Sequence, residues 1–178
     1  MSVLIIAEAG VNHNGSLVLA KKLAEKAKEA GADYVKYQTF NPSNMVSKAA
    51  SKADYQKKTT DSSQSQLEML EDLSLSYAEF KELKEYCQSI GIGFLSTSFD
   101  LGSTAFLDEL GCDIWKIPSG EITNYPYLVD IAKRHQQIIL STGMCTENDI
   151  TKALEVLNAN GAGKISLLHC TTEYPTPF

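Results

Sequence analysis

The sequence predicts an α/β fold, and more narrowly an N-terminal portion of a (β/α)8 TIM barrel. Three observations carry that reading. Six short apolar runs are continuous, as in parallel strands covered on both faces. Helical patterns separate them, and most strand starts fall about 21–30 residues apart, a βα spacing. Nearly every run ends in a residue capable of chemistry: Glu8, then Lys36 and Gln38, Ser96 and Thr97, Lys116, Ser141 and Thr142, and His169. An open doubly wound sheet concentrates its site at one switch point. A barrel draws one site from the C-terminal ends of many strands, and that is the distribution seen here.

Each element has a local reason. Val3–Ala7 forms the first expected strand, with Glu8 at its end. Ser16–Ala30 is helical, placing Leu19, Leu23, Ala27 and Ala30 on one stripe before Gly31. Tyr34–Gln38 is the second strand. Asn41–Gln66, rich in Ser, Lys, Thr and Asp, reads as a flap with a short helix inside. Ser76 and Glu79 make a capping box before Phe80, Leu83, Cys87 and Ile90, ended by Gly91. Ile92–Leu95 is the third strand and Ser103–Leu110 a short helix. Asp113–Ile117 and Tyr127–Arg134 follow as strand and helix, then Gln137–Leu140 as a strand. Thr146 and Asp149 repeat the capping box before Ile150, Ala153, Leu154 and Leu157, and Lys164–Leu168 is the sixth strand.

A complete barrel needs eight such units and typically about 250 residues. This chain of 178 residues supplies about six. Residues 1–178 are therefore expected to be a partial barrel domain whose remaining strands lie outside the chain, with two strand edges uncovered.

Composition excludes several functions. Hydrophobic residues at 43% and charged ones at 21% allow a full core, so the chain is not a disordered tail. Sixteen Lys+Arg against 22 Asp+Glu give a net charge of −6, which disfavours nucleic-acid binding. No apolar run approaches the roughly 18 residues of a membrane helix, and the N-terminus lacks a basic signal region. A cytoplasmic protein with no membrane partner is expected, its four widely spaced cysteines reduced.

The candidate site residues fall into three groups. Lys36 and Lys116 sit within apolar strands, where a charge is costly without a partner. Two such lysines on different strands favour an anion site, the alternatives being ion pairs with Glu8 or Glu121, or a Schiff-base lysine. Ser96, Thr97, Ser119, Gly120, Ser141, Thr142 and Gly143 close neighbouring strands as a candidate phosphate cradle. Glu8 and Glu121 could act as acid, base or acceptor for substrate hydroxyls. His13 lies in the first βα turn, His135 at the opposite rim, and His169 at a strand end. No metal-binding spacing is present.

As an ordered set, IAEAGVNHNG (6–15), VKYQTF (35–40), STSFD (96–100), WKIPSGEITNYPYL (115–128), ILSTGM (139–144) and LLHCTTEYPTPF (167–178) closely resemble the N-acetylneuraminate (sialic acid) synthase family, which includes legionaminic and pseudaminic acid synthases. The resemblance implies a barrel that condenses phosphoenolpyruvate with an N-acetylated sugar, such as N-acetylmannosamine or its 2,4-diacetamido analogue, to a nine-carbon acid and phosphate. It implies a divalent metal, manganese or magnesium, bound mostly by residues beyond this chain. It implies a homodimer in which a C-terminal antifreeze-like domain, also absent here, covers the partner's site. Carried over by motif, phosphoenolpyruvate would meet Lys36, Thr97, Lys116 and Ser119. Glu8 would stand beside the reacting enol. Gln38, Glu121 and Tyr174 would orient the sugar or intermediate, and Phe99 would shape the pocket. The 178-residue chain alone is expected to be inactive. Two departures stand out. The family commonly has Pro where this chain has Ser98, which predicts a looser backbone beside Thr97, and some relatives have Asn at the position of Thr172. Competing readings are another phosphoenolpyruvate-condensing barrel, acting on a sugar phosphate, and a non-catalytic anion- or sugar-binding module.

Overall fold

The structure, a computed structural model, describes residues 3–46, 65–172 and 176. The chain divides into two compact units, Met1–Phe94 and Leu95–Phe178. Strands and helices alternate through both.

The first unit runs β1 (Ile6–Gly10), α1 (Leu17–Glu29), β2 (Tyr34–Thr39), α2 (Pro42–Met45), α3 (Gln66–Leu73) and α4 (Tyr77–Ser89). β1 pairs in parallel with β2, and β3 (Gly93–Ser98), which crosses the unit boundary, completes the strand order β1-β2-β3. β1 starts three residues later than the apolar run suggested. The cause is the turn residue Asp33: its carboxylate accepts from the Ile5 N–H at 2.7 Å, while the Asp33 and Tyr34 N–H groups donate to the Ile5 carbonyl. Strand pairing therefore begins at Ile6 opposite Tyr34, leaving Val3, Leu4 and Ile5 exposed ahead of it.

β2 is not uniformly covered, as a continuous apolar run would be. Val35, Tyr37 and Thr39 are buried, whereas Tyr34, Lys36 and Gln38 are partly open. Tyr37 shows which face is which, because its phenol donates to the Ala20 carbonyl of α1 at 2.9 Å. The alternate residues share the other face. That close approach also decides the buried stripe of α1. It is Ala20, Ala24 and Ala27, with Leu19 at 42% exposure, so that of the expected stripe Ala27 alone is buried. Small side chains let the helix lie close to the sheet.

α4 follows its predicted capping box: the Ser76 hydroxyl accepts from Glu79 N–H, and the Glu79 carboxylate from Ser76 N–H, burying Phe80, Leu83 and Cys87. A second capping box, Ser65 with Glu68, starts α3, a helix absent from the elements expected from the sequence. The loop's short helix is α2, capped by Asn41. The rest of the proposed flap, 47–64, lies outside the described residues.

The second unit contains the end of β3, then α5 (Leu101–Glu109), β4 (Ile114–Ile117), a 3-10 turn (Ser119–Glu121), α6 (Tyr125–Ala132), β5 (Gln137–Ser141), α7 (Glu147–Ala159) and β6 (Ile165–Leu168). β4, β5 and β6 form a second parallel sheet in that order, so the six strands make two three-stranded sheets where one continuous run was expected. β4 is buried along its whole length, while β6, at the sheet edge, leaves Leu167 and Leu168 at 47% and 40% exposure. α5 and α6 begin two residues earlier than their apolar patterns, because Asp100 and Asn124 cap them. The Thr146–Asp149 capping box of α7 is as expected. The four cysteines carry no disulfide.

Candidate functional site

Two groups of candidate side chains are assembled, one within each unit. In the first, strand register makes the group. Glu8 of β1 stands opposite Lys36 of β2, and their side chains meet with Nζ 2.6 Å from Oε2. Lys36 is 12% exposed at the side chain and Glu8 51%. Glu8 is the third residue of β1, not a residue beyond its end, because the strand is shifted along the chain. A register irregularity between Glu8 and Gly10 follows it. Gly10 has φ +54°, and a Cβ there would lie 3.1 Å from Glu8 Oε1 and 3.6 Å from Gln38 Nε2. Glycine is thus required to let the carboxylate and amide converge. Glu8, Lys36 and Gln38 form one polar group on the face of β2 opposite α1.

His13 lies in the turn that follows. It is fully buried, and its Nδ1 accepts the Gly15 N–H at 3.2 Å, so Nε2 bears the hydrogen. Nε2 has no partner among the described residues. Burial pushes the His13 pKa below its ordinary value, against the opposing charge of Glu79. At neutral pH the imidazole is therefore uncharged.

In the second unit the centre is Lys116. It is 8% exposed, and its ammonium donates to Ser141 Oγ at 2.7 Å and to the Ile117 carbonyl at 2.9 Å. Neighbouring strands β4 and β5 provide both groups. Ser119 and Glu121 follow on the 3-10 turn, where the Asn124 amide donates to Glu121 Oε2 at 2.6 Å. Ser119 also lines a cavity of about 230 Å³ with Thr123, Met144, Cys145, Asp149 and Thr172. Met144 on its rim is 88% exposed at φ +57°, a backbone strain that sequence alone does not show.

Thr97 is 2% exposed inside β3, rather than at its end, because the strand runs on to Ser98. The backbone beside Thr97 is tied down rather than loosened by Ser98. Ser98 is fully buried, its Oγ 3.0 Å from the Tyr127 hydroxyl and 2.9 Å from Thr104 Oγ1. Phe99 is half-buried. Tyr174 lies outside the described residues. His169 is exposed, and His135 is a surface turn residue donating from Nδ1 to the Gly161 carbonyl. Trp115 is buried under the Arg134 guanidinium, a packing role. Arg134, the chain's one arginine, pairs with Asp108 and Asp130. Asn124, Ser98 and Tyr127 were missed as supports of the site. Asn124 had a signal, being an N-cap residue just before a Pro-containing helix start.

Among the described residues, no three His, Cys, Asp or Glu side chains gather to hold a metal ion. No helix among these residues is long and apolar enough to cross a membrane.

Residues 23–178 match the model of the NeuB family. The chain belongs to that family. It is 58% identical over 177 residues to the N,N'-diacetyllegionaminic acid synthase of Campylobacter jejuni, covering 98% of this chain and 53% of that protein. It is 47% identical to the enzyme of the same name from Legionella pneumophila, covering 100% of this chain and 51% of the relative. The solved N-acetylneuraminic acid synthetase of Leptospira borgpetersenii, crystallised with citrate, superposes with a TM-score of 0.86 at 30% identity, over 99% of this chain and 57% of that one. A truncated 3-deoxy-D-arabino-heptulosonate 7-phosphate synthase from Thermotoga maritima shares the fold alone, at 15% identity and a TM-score of 0.64 over 92% of this chain and 50% of that one. The chain spans about half the length of the curated NeuB relatives it matches.

Proposed function

We propose that the complete protein condenses phosphoenolpyruvate with a 2,4-diacetamido hexose to give N,N'-diacetyllegionaminic acid, or a close nine-carbon relative, and phosphate. The observation that carries this reading is the pair of strand lysines in a NeuB-family chain: Lys36, 2.6 Å from Glu8, and Lys116, buried and held by Ser141. The diacetamido sugar is preferred to N-acetylmannosamine in this reading because both relatives named above are N,N'-diacetyllegionaminic acid synthases. The rest of the proposal follows the family: a (β/α)8 barrel, a cytoplasmic homodimer, and a manganese or magnesium ion whose ligands lie mostly outside this chain.

The chemistry assigns each group a task. Lys36 and Lys116 bind the carboxylate and phosphate of phosphoenolpyruvate, with Thr97 and Ser119 donating hydroxyl hydrogen bonds. Carbon 3 of the enol attacks the open-chain sugar aldehyde, and positive character develops at carbon 2. The carboxylate of Glu8 stabilises that charge or takes a proton from the water that adds there. The tetrahedral intermediate then expels phosphate by cleavage of its C–O bond, so one water is consumed per phosphate released, one of its protons ending on the former aldehyde oxygen and the other on the phosphate. Gln38, Glu121 and Tyr174 orient the sugar, and Phe99 shapes the pocket.

The test uses phosphoenolpyruvate carrying oxygen-18 in its bridging position. Release of labelled phosphate with a nine-carbon acid supports the proposal. Consumption with the label retained on carbon, or binding without turnover, rejects it. The 178-residue chain, assayed alone, is expected to make no product. The sugar-phosphate alternative has less support, because Arg134, the arginine a second phosphate would need, is already held by two aspartates.

A further inference from the structure

We propose that Ser98 and Tyr127 form a clamp that positions the Thr97 end of β3 for phosphoenolpyruvate, an inference that rests on the function proposed above. The clamp is built from hydroxyls with no solvent access of note. Tyr127 is 2% exposed, and Ser98 and Thr104 are fully buried. The Tyr127 hydroxyl donates to the Ser98 carbonyl at 2.7 Å and lies 3.0 Å from Ser98 Oγ. Thr104 Oγ1 donates to Ser98 Oγ at 2.9 Å and also lies 3.0 Å from the Asp100 carbonyl. The residue just after Thr97 is thus tied through its carbonyl and its side chain to two helices, α5 and α6.

The same helix reaches the other rim group. Asn124 caps α6 by accepting from the Tyr127 N–H, and its amide donates to Glu121. One short segment, Asn124–Tyr127, therefore holds both the Glu121 carboxylate and the peptide beside Thr97. Burial keeps the Tyr127 phenol protonated by raising its pKa, so it remains a donor at any working pH. Tyr127 and Ser98 do not touch the reacting atoms in this scheme; they are positioning residues.

Tyr127→Phe in the complete protein keeps the ring and removes the donor. A single buried hydrogen bond corresponds to about a fivefold to tenfold effect. The expected result is a KM for phosphoenolpyruvate raised by about that factor, with kcat within about twofold and the melting temperature lowered by about 2–4 °C, since the buried Ser98 carbonyl loses this donor. Hydrogen exchange of residues 95–100 should accelerate while the rest of the protein stays protected. Ser98→Ala, which leaves the phenol-to-carbonyl bond, should do less, and the double variant should be less than additive. Unchanged exchange at 95–100, or a KM at the wild-type value in an active Tyr127→Phe enzyme, overturns the clamp. A wild-type protein that consumes no phosphoenolpyruvate overturns the proposed function instead, and the exchange result still decides the clamp.

Discussion

Glu8→Gln separates a functional carboxylate from a structural one. Glu8 meets Lys36 at 2.6 Å, a distance that invites a structural explanation, but its side chain is 51% exposed. Solvent screens such a pair, and exposed pairs contribute about 0.2–1 kcal/mol. The amide is nearly isosteric and keeps one oxygen for the Lys36 ammonium. Loss of fold stability should therefore stay below about 1 kcal/mol, a shift of at most about 4 °C in melting temperature. If Glu8 handles a proton or developing charge beside the enol, the rate should fall about 10²–10⁴-fold. That is roughly 3–5 kcal/mol of transition-state stabilisation, several times the stability cost. The assay is phosphate release and nine-carbon acid formation, beside a thermal melt of the same sample. A variant that stays folded and nearly as active as wild type refutes the reasoning, as does one whose activity falls only in step with its stability.

Other predictions test different parts of the account. Lys116→Met should cost about 1–3 kcal/mol of stability, since it removes the donor to the Ile117 carbonyl and Ser141 hydroxyl, and should weaken phosphoenolpyruvate binding at least about 100-fold by calorimetry. Gly15→Ala should destabilise strongly, by about 2–4 kcal/mol in urea melts, because φ is +69° and the new Cβ would lie 2.4 Å from the Asp72 carbonyl oxygen. His13 makes stability depend on pH. Its folded pKa lies below the ordinary 6.5, so below about 6.5 the unfolded chain binds the proton first and stability falls with falling pH. Urea midpoints should drop between pH 7 and pH 5 in wild type, and less in His13→Asn. Glu79, whose carboxylate opposes the shift, and Tyr37, whose ring lies 6.2 Å away, are the groups that face it.

The parts of this molecule legible in its sequence are those set by local chemistry. Capping boxes at Ser76 and Thr146 gave the starts of α4 and α7, because a side chain and a backbone N–H three residues apart suffice to make them. Parallel strands announced themselves by apolar runs. The apolar run misplaced β1, since pairing began where Asp33 pinned Ile5, a contact 28 residues away. Helix α1 buried its alanines, because Tyr37 demanded a close approach that no pattern within the helix encodes. Among the candidate site residues, Lys36, Lys116, Glu8 and Ser119 stood out by lying at the ends of apolar runs or in the turn just after one. The supports around them were not legible as such. Ser141 was legible as a strand-end hydroxyl but not as the partner of Lys116, while Asn124 beside Glu121 and Tyr127 over Ser98 are ordinary residues made important by contacts across strands and helices.

The central claim, that this chain's lysines and carboxylates serve a phosphoenolpyruvate condensation, is tested most directly by one assay on the complete protein. Phosphoenolpyruvate and a 2,4-diacetamido hexose are supplied with manganese, and products are identified by mass. The account predicts a nine-carbon acid and phosphate in equal amounts, both lost in Glu8→Gln and Lys116→Met. Phosphoenolpyruvate that binds but is never consumed, with any N-acetylated hexose offered, contradicts it.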